Sequence, residues 1–245
     1  MVTRAILFDL FGTLVHFKVQ VPVVSIVGTY RRSTMPWLSE ALSRELPDAR
    51  FEEFLDAITA VTAEIIRGRP PLYAEVPSRA RFERALTRMG LDATIAAASG
   101  ERLSLKHMEH LASAVELPAG YGDVLRDLKR RFRFGVVSNF DHAATARGIL
   151  DRFEITPLLD AAVISEEVGR RKPHPDIFLG ALERIGVERT EAVFVGDSPA
   201  DDLVGAKDAG LRVIWVNADD RLLPADVPAP DAVVRTLAEL SDVLS

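Results

Sequence analysis

Short runs of consecutive apolar residues recur along the chain: "AILFDLF" (5–11), "FRFGVVSNF" (132–140), "AAVISEE" (161–167), "AVFVGDS" (192–198), "RVIWVN" (212–217) and "DAVVRT" (231–236). Apolarity that is continuous rather than alternating predicts strands covered on both faces, as in a parallel sheet. Between these runs lie "YGDVLRDLKRR", "HAATARGILDRF", "PDIFLGALERIG" and "ADDLVGAKDAG", whose apolar residues recur at helical spacing and which usually close on Gly. Strand–helix alternation of this kind predicts an α/β fold built on a doubly wound, Rossmann-like parallel sheet.

The rhythm breaks once. Residues 15–117 carry no strand–helix alternation but hold helical patterns, among them "MPWLSEALSREL", "FEEFLDAITAVTAEIIRG", "SRARFERALTRMG" and "SGERLSLKHMEHLASAV". A segment of roughly a hundred residues is far too long for a loop, so an inserted α-helical cap domain is expected after the first strand. The core domain then comprises 1–14 and 118–245 and the cap 15–117, with hinges near 14–18 and 116–122. The stretch "VQVPVVSIVGTY" (19–30) fits no helix; its β-branched residues suit a short ribbon.

At 245 residues, 48% of them apolar, the chain can bury a substantial core. A formal charge of −6 argues against a dedicated nucleic-acid or membrane-surface binder, yet leaves room for a small anionic substrate. The absence of cysteine excludes disulfides, thiolate metal sites and cysteine nucleophiles. The start "MVTRAILFDL" lacks the apolar core and cleavage site of a signal peptide, and no run is long enough to span a bilayer. A cytoplasmic protein of unknown oligomeric state, with a small-molecule substrate, is the expectation.

Ligands of open α/β sheets bind beyond the carboxyl ends of the strands. The polar residues expected there are Asp9, Ser138, Asn139, Asp197 and Ser198, with Lys172 in "VGRRKPHP" and Asp201 and Asp202 in "GDSPADDLVGAKDAG". Each has a plain structural alternative: Asp9 as a turn former, Ser138-Asn139 as a helix cap, Lys172 as a loop charge, the later acids as helix-start residues. Their order and shared edge argue otherwise.

Four segments, "DLFGTL" (9–14), "VVSN" (136–139), "GRRKPHPDIF" (169–178) and "VGDSPADDLVGAKDAG" (195–210), resemble the motifs of the haloacid dehalogenase (HAD) superfamily, with the insertion placed as in its C1-capped branch. The resemblance implies Asp9 as nucleophile, attacked substrate passing through a covalent aspartyl intermediate that water hydrolyses. It implies Ser138 bonding the transferred group, Lys172 neutralising its charge, and Gly12, Thr13 and Asn139 contacting substrate. It further implies Mg²⁺ held by Asp9, the Phe11 carbonyl, Asp197, and Asp201 or Asp202. Independently, clustered carboxylates raise one another's pKa, and a hard divalent cation relieves that conflict.

Phe11 divides the reading. Most phosphatases of the superfamily carry there an Asp that protonates the leaving group; its dehalogenases often carry an aromatic residue and need no metal. The acidic cluster favours a Mg²⁺-dependent hydrolase of a small phosphorylated metabolite. A metal-free 2-haloacid dehalogenase and a non-catalytic binding protein on the same fold are the alternatives. A replacement proton donor is sought in the insertion or beside it, among His16, His107, His110, Arg31, Arg32 and Lys106; Trp37, Phe51 and Phe54 are expected in the cap core.

Overall fold

The computed structural model describes every residue except Met1, Val27, Gly28 and Ser245, and the side chains of Ile26, Thr29 and Arg31 also lie outside the described set. The strands are β1 (Ala5–Phe8), β2 (His16–Phe17), β3 (Val23–Ile26), β4 (Thr29–Arg32), β5 (Val115–Glu116), β6 (Arg133–Ser138), β7 (Ala161–Ile164), β8 (Ala192–Gly196), β9 (Arg212–Val216) and β10 (Ala232–Val234). The helices are α1 (Ser39–Glu45), α2 (Phe51–Arg67), α3 (Ser78–Arg88), α4 (Ala93–Ser113), α5 (Tyr121–Lys129), α6 (Ala143–Arg152), α7 (Ser165–Val168), α8 (Pro175–Ile185), α9 (Val204–Asp208) and α10 (Leu240–Val243). The chain forms two compact units, one of Met1–His16 with Glu116–Ser245 and one of Phe17–Val115.

The first unit is built on a six-stranded sheet in the order β10-β9-β8-β1-β6-β7. Every neighbouring pair in it is parallel. β1 lies between β6 and β8, with Ala5 opposite both Arg133 and Ala192. Its four residues are wholly buried, which explains why "AILF" is apolar without alternation. On one face, Leu7, Phe194 and Val213 pack with Ile177, Phe178 and Leu182 of α8 and Ala206 of α9. On the other, Phe8 meets Phe134 edge to face, ring centroids 5.2 Å apart. Each such buried side chain contributes about 1.5–3 kcal/mol through apolar burial.

The second unit carries its own core, in which Leu38, Phe54, Ile58, Phe82, Leu86 and Leu103 are buried together and Phe51 packs against them. Phe51 and Phe54 thus serve as expected, whereas Trp37 is half-buried with its ring 6.1 Å from that of His110. α3 and α4 approach so closely that a Cβ on Gly100 would sit 2.8 Å from the Glu83 main-chain nitrogen. β3 and β4 form an antiparallel pair, Val23 opposite Arg32, so the expected ribbon is present; its tip falls at the undescribed Val27 and Gly28. α4 begins at Ala93, upstream of the predicted start, with Asp92 accepting from the Thr94 N–H at 2.8 Å as its cap. Among the described residues no helix is long and apolar enough to cross a membrane.

Candidate active site

β1 delivers Asp9 from the middle of the sheet, its N–H donating to Val195 O of β8 at 2.9 Å. The chain then turns tightly over 10–15: Gly12 N–H donates to Val15 O, and the Leu14 and Val15 N–H groups both donate to Leu10 O. Gly12 has φ +94°, and a Cβ there would lie 2.7 Å from the Asp197 carboxylate. Both facts demand glycine. Thr13 is fully buried, and its hydroxyl has no partner among the described residues.

Three carboxylates converge: Asp9, Asp197 and Asp202 each offer an oxygen within 4.8 Å of the others. Asp202 is brought in by a single wide turn over Pro199–Leu203, in which the Leu203 N–H reaches back to Ser198 O at 3.3 Å; such π-type turns are frequent at functional sites. The Ser198 N–H donates to Asp202 Oδ2 at 2.9 Å. Asp201 stays outside the three-carboxylate group, its N–H donating to Ser198 Oγ at 3.3 Å. Where the sequence left Asp201 and Asp202 open, the fold gathers Asp202.

Lys172 lies between two of these acids, its Nζ 2.5 Å from Asp9 Oδ1 and 2.7 Å from Asp202 Oδ1. It is only 2% exposed and runs over the Phe194 ring, 5.3 Å from its centroid. One buried ammonium does not balance three carboxylates, of which Asp9 and Asp202 are buried and Asp197 half-buried. Burial pushes the Asp9 carboxyl up to about 6, Lys172 opposing and Asp197 reinforcing the rise. Burial likewise raises Asp197 to about 7, with Asp202 adding to it, and Asp202 to about 7 against the pull of Lys172. Lys172 is held above its ordinary value, because the two carboxylates outweigh the burial that acts to lower it. Three hard oxygen donors with excess negative charge suit a small divalent cation such as Mg²⁺.

Asn139 is spent on Lys172. Its Oδ1 accepts from the Lys172 N–H at 2.6 Å and its Nδ2 donates to the Lys172 carbonyl at 3.0 Å. Its side chain thus clamps the lysine main chain. Ser165 does the same for the next residue, accepting from the Phe140 N–H at 2.8 Å and donating to the Phe140 carbonyl at 3.2 Å. Neither role is legible without the fold, because both partners are distant in sequence. Ser138 is fully buried, and its hydroxyl, like that of Thr13, has no partner among the described residues. Phe11 turns its ring onto Phe140, centroids 4.7 Å apart and planes 30° apart.

The proton-donor candidates fare differently. Burial, aided by Arg81 and His110, drops His107 to about 3, so it is uncharged at neutral pH. Burial also lowers His16 and His110. Arg32 donates to the Val19 and Val21 carbonyls at 2.6 and 2.9 Å, and Lys106 pairs with Glu109 at 2.6 Å. The Arg31 side chain lies outside the described residues.

The sequence model of the haloacid dehalogenase-like hydrolases matches residues 3–210. The chain belongs to that family. Among relatives of this HAD-like protein, the pyrimidine 5'-nucleotidase YjjG of Escherichia coli is 35% identical over 126 residues, 51% of this chain and 55% of its own. A glyceraldehyde 3-phosphate phosphatase of Pyrococcus abyssi is 32% identical over 109 residues, 44% of this chain and 45% of its own. The HAD-like chain thus spans about half the length of these curated relatives. Its fold is similar over 99% of its length to a 2-haloacid dehalogenase of Pseudomonas syringae pv. Tomato DC3000, with TM-score 0.71, 27% identity and 98% of that chain covered. A HAD phosphatase of Thermococcus onnurineus superposes with TM-score 0.65 at 25% identity, covering 99% of this chain and 98% of that one.

Proposed function

We propose that this HAD-like protein is a Mg²⁺-dependent hydrolase of a small phosphorylated metabolite, working through an aspartyl-phosphate on Asp9. The observation that carries the reading is the convergence of Asp9, Asp197 and Asp202, with the Lys172 ammonium set between Asp9 and Asp202. Asp9, Asp197 and Asp202 would hold the cation, with the Phe11 main-chain carbonyl as the further ligand that the family resemblance implies. When bound, Mg²⁺ offsets their charge and withdraws charge from the phosphoryl oxygens.

Asp9 forms the new oxygen–phosphorus bond as the ester oxygen departs with its electron pair; water then cleaves the acyl phosphate and frees Asp9. Lys172 steadies the Asp9 carboxylate beforehand and the phosphoryl charge during transfer. The unpartnered Ser138 and Thr13 hydroxyls are suited to donate to phosphoryl oxygens. Phe11 has no acidic proton to give, and His107 is uncharged above about pH 3. Good leaving groups, such as acyl or aryl phosphates, are therefore the preferred substrates.

A metal-free dehalogenase is the second reading, favoured by the Phe11–Phe140 aromatic pair and by the likeness to the Pseudomonas syringae enzyme. A panel of phosphate esters, acyl phosphates and 2-haloacids separates the two. Phosphate release that stops in excess EDTA and returns with Mg²⁺ is the expected outcome; chloride release undiminished by EDTA would establish the dehalogenase instead.

The role of Phe11 has its own check. Phe11→Asp is expected to speed hydrolysis of alkyl phosphates by about 10²-fold while changing aryl phosphates little, since general acid catalysis matters most for poor leaving groups. Equal effects on both series would show that the missing acid is not what limits the natural protein.

A further inference from the structure

Asp197 is gripped from outside the carboxylate group. Its main-chain oxygen accepts from Trp215 Nε1 at 3.0 Å and from Arg221 Nη2 at 2.7 Å. The same guanidinium lies 3.8 Å from Asp197 Oδ2 and 5.8 Å from the Trp215 ring centroid. Arg221 is itself anchored. Asn217, 6% exposed, accepts from the Arg221 N–H at 2.9 Å and donates to its carbonyl at 3.0 Å. The adjacent Asp220 is ion-paired with Arg235. Residues 217–221 thus form a strap that leaves the end of β9, crosses Trp215 and ends on Asp197.

We propose that Arg221, carried by this strap, is a positioning residue for the divalent-cation ligand Asp197; the inference rests on the metal-dependent reading above. Asp197 follows the last residue of β8, so the sheet ladder does not restrain its carbonyl. Its carboxylate faces two others that repel it, and rotation towards water would relieve that repulsion. Two N–H donors on the carbonyl fix the peptide and keep the carboxylate turned to Asp9 and Asp202. Partners that orient a metal ligand typically govern about 10–100-fold in metal affinity. A purely electrostatic Arg221 would have the opposite effect, because a guanidinium beside the site repels a cation. The sign of the change therefore separates positioning from charge.

The test is calorimetric titration of Mg²⁺ into the metal-free full chain, with the metal-free thermal midpoint measured alongside. Arg221→Ala is expected to weaken Mg²⁺ binding about 10-fold with little change in that midpoint, and Arg221→Lys to recover part of the loss. Asn217→Ala, which removes only the anchor of the strap, should weaken binding in the same direction; should it fail to fold, the Arg221 pair carries the comparison. Unchanged or tighter binding by Arg221→Ala overturns the proposal. Asp197→Asn is the control for the underlying reading. Saturable binding that survives it removes Asp197 from the ligand set and overturns both, as does an absence of saturable binding by the natural protein. Loss with Asp197→Asn but not with Arg221→Ala overturns the strap alone.

Discussion

Asp9→Asn should abolish turnover, by on the order of 10⁴-fold or more, and at the same time make the metal-free protein more stable at pH 7.5. The first effect follows from losing the nucleophile. The second follows from the electrostatics. Asp9 titrates near 6 in the folded protein against an ordinary 3.8, so folding favours its protonated form. The cost of ionising it in place grows as pH rises from about 4 and is complete above about 6. Asp197 and Asp202, both raised to about 7, extend the same trend to about pH 7. Metal-free wild type should therefore lose stability between about pH 4 and pH 7, while Asp9→Asn loses less. Thermal melts across that range check it, and a variant no more stable than wild type at pH 7.5 would contradict the charge accounting. Mg²⁺ should raise the wild-type midpoint most at the upper end of the range.

Lys172→Met is expected to have the opposite effect on stability and a similar one on turnover. Methionine fills most of the lysine volume, so packing over Phe194 is largely kept. What goes is the ammonium 2.5 Å from Asp9 and 2.7 Å from Asp202. Breaking a buried ion pair by removing one partner costs about 3–5 kcal/mol, because the remaining charge stays buried without compensation. Urea denaturation should show that loss at pH 7.5, with a smaller loss at pH 5, where the three acids take up protons. Saturating Mg²⁺ should restore part of it. A denaturation midpoint equal to that of wild type at pH 7.5 would mean that the acids are neutral or otherwise compensated.

Much of the molecule was legible in its sequence, for identifiable reasons. The continuous apolar runs marked the strands because both faces of the sheet are covered at its centre, where "AILF" and "AVFVG" are wholly buried. Asp9 and Asp197 stood out because each closes an apolar run at the ligand edge of the sheet, whereas Lys172 and Asp202, in the loops beyond, stood out through their order along the chain and the family resemblance. The misreadings have equally local causes. "AAVISEE" looked like one strand, but the chain turns into α7 at Ser165. The start of α4 was missed because "ATIAAASG" offers too little polar contrast to show a helical period. The clamp of Asn139 on Lys172 went unseen because its sequence neighbours show nothing of a partner 33 positions away. His107 stood among the proton-donor candidates because a single sequence does not display its burial. The strap on Asp197 was invisible for the same reason as the clamp: "NADDR" is unremarkable until β9 carries it beside β8.

The central place of β1 also bears on how the protein is made. Its two sheet neighbours, Arg133–Ser138 and Ala192–Gly196, are encoded far downstream. During synthesis the first strand leaves the ribosome with both edges unpaired and four apolar side chains uncovered, and it stays so until most of the chain has followed. Long-range parallel pairing of this kind is slow, because the intervening chain must be closed into a loop before any contact rewards it. Phe17–Val115, with a hydrophobic core of its own, fills much of that interval and can condense while β1 waits. Asp9 is the first of the site residues to be translated, yet it meets Asp197 and Asp202 only once residue 202 has emerged.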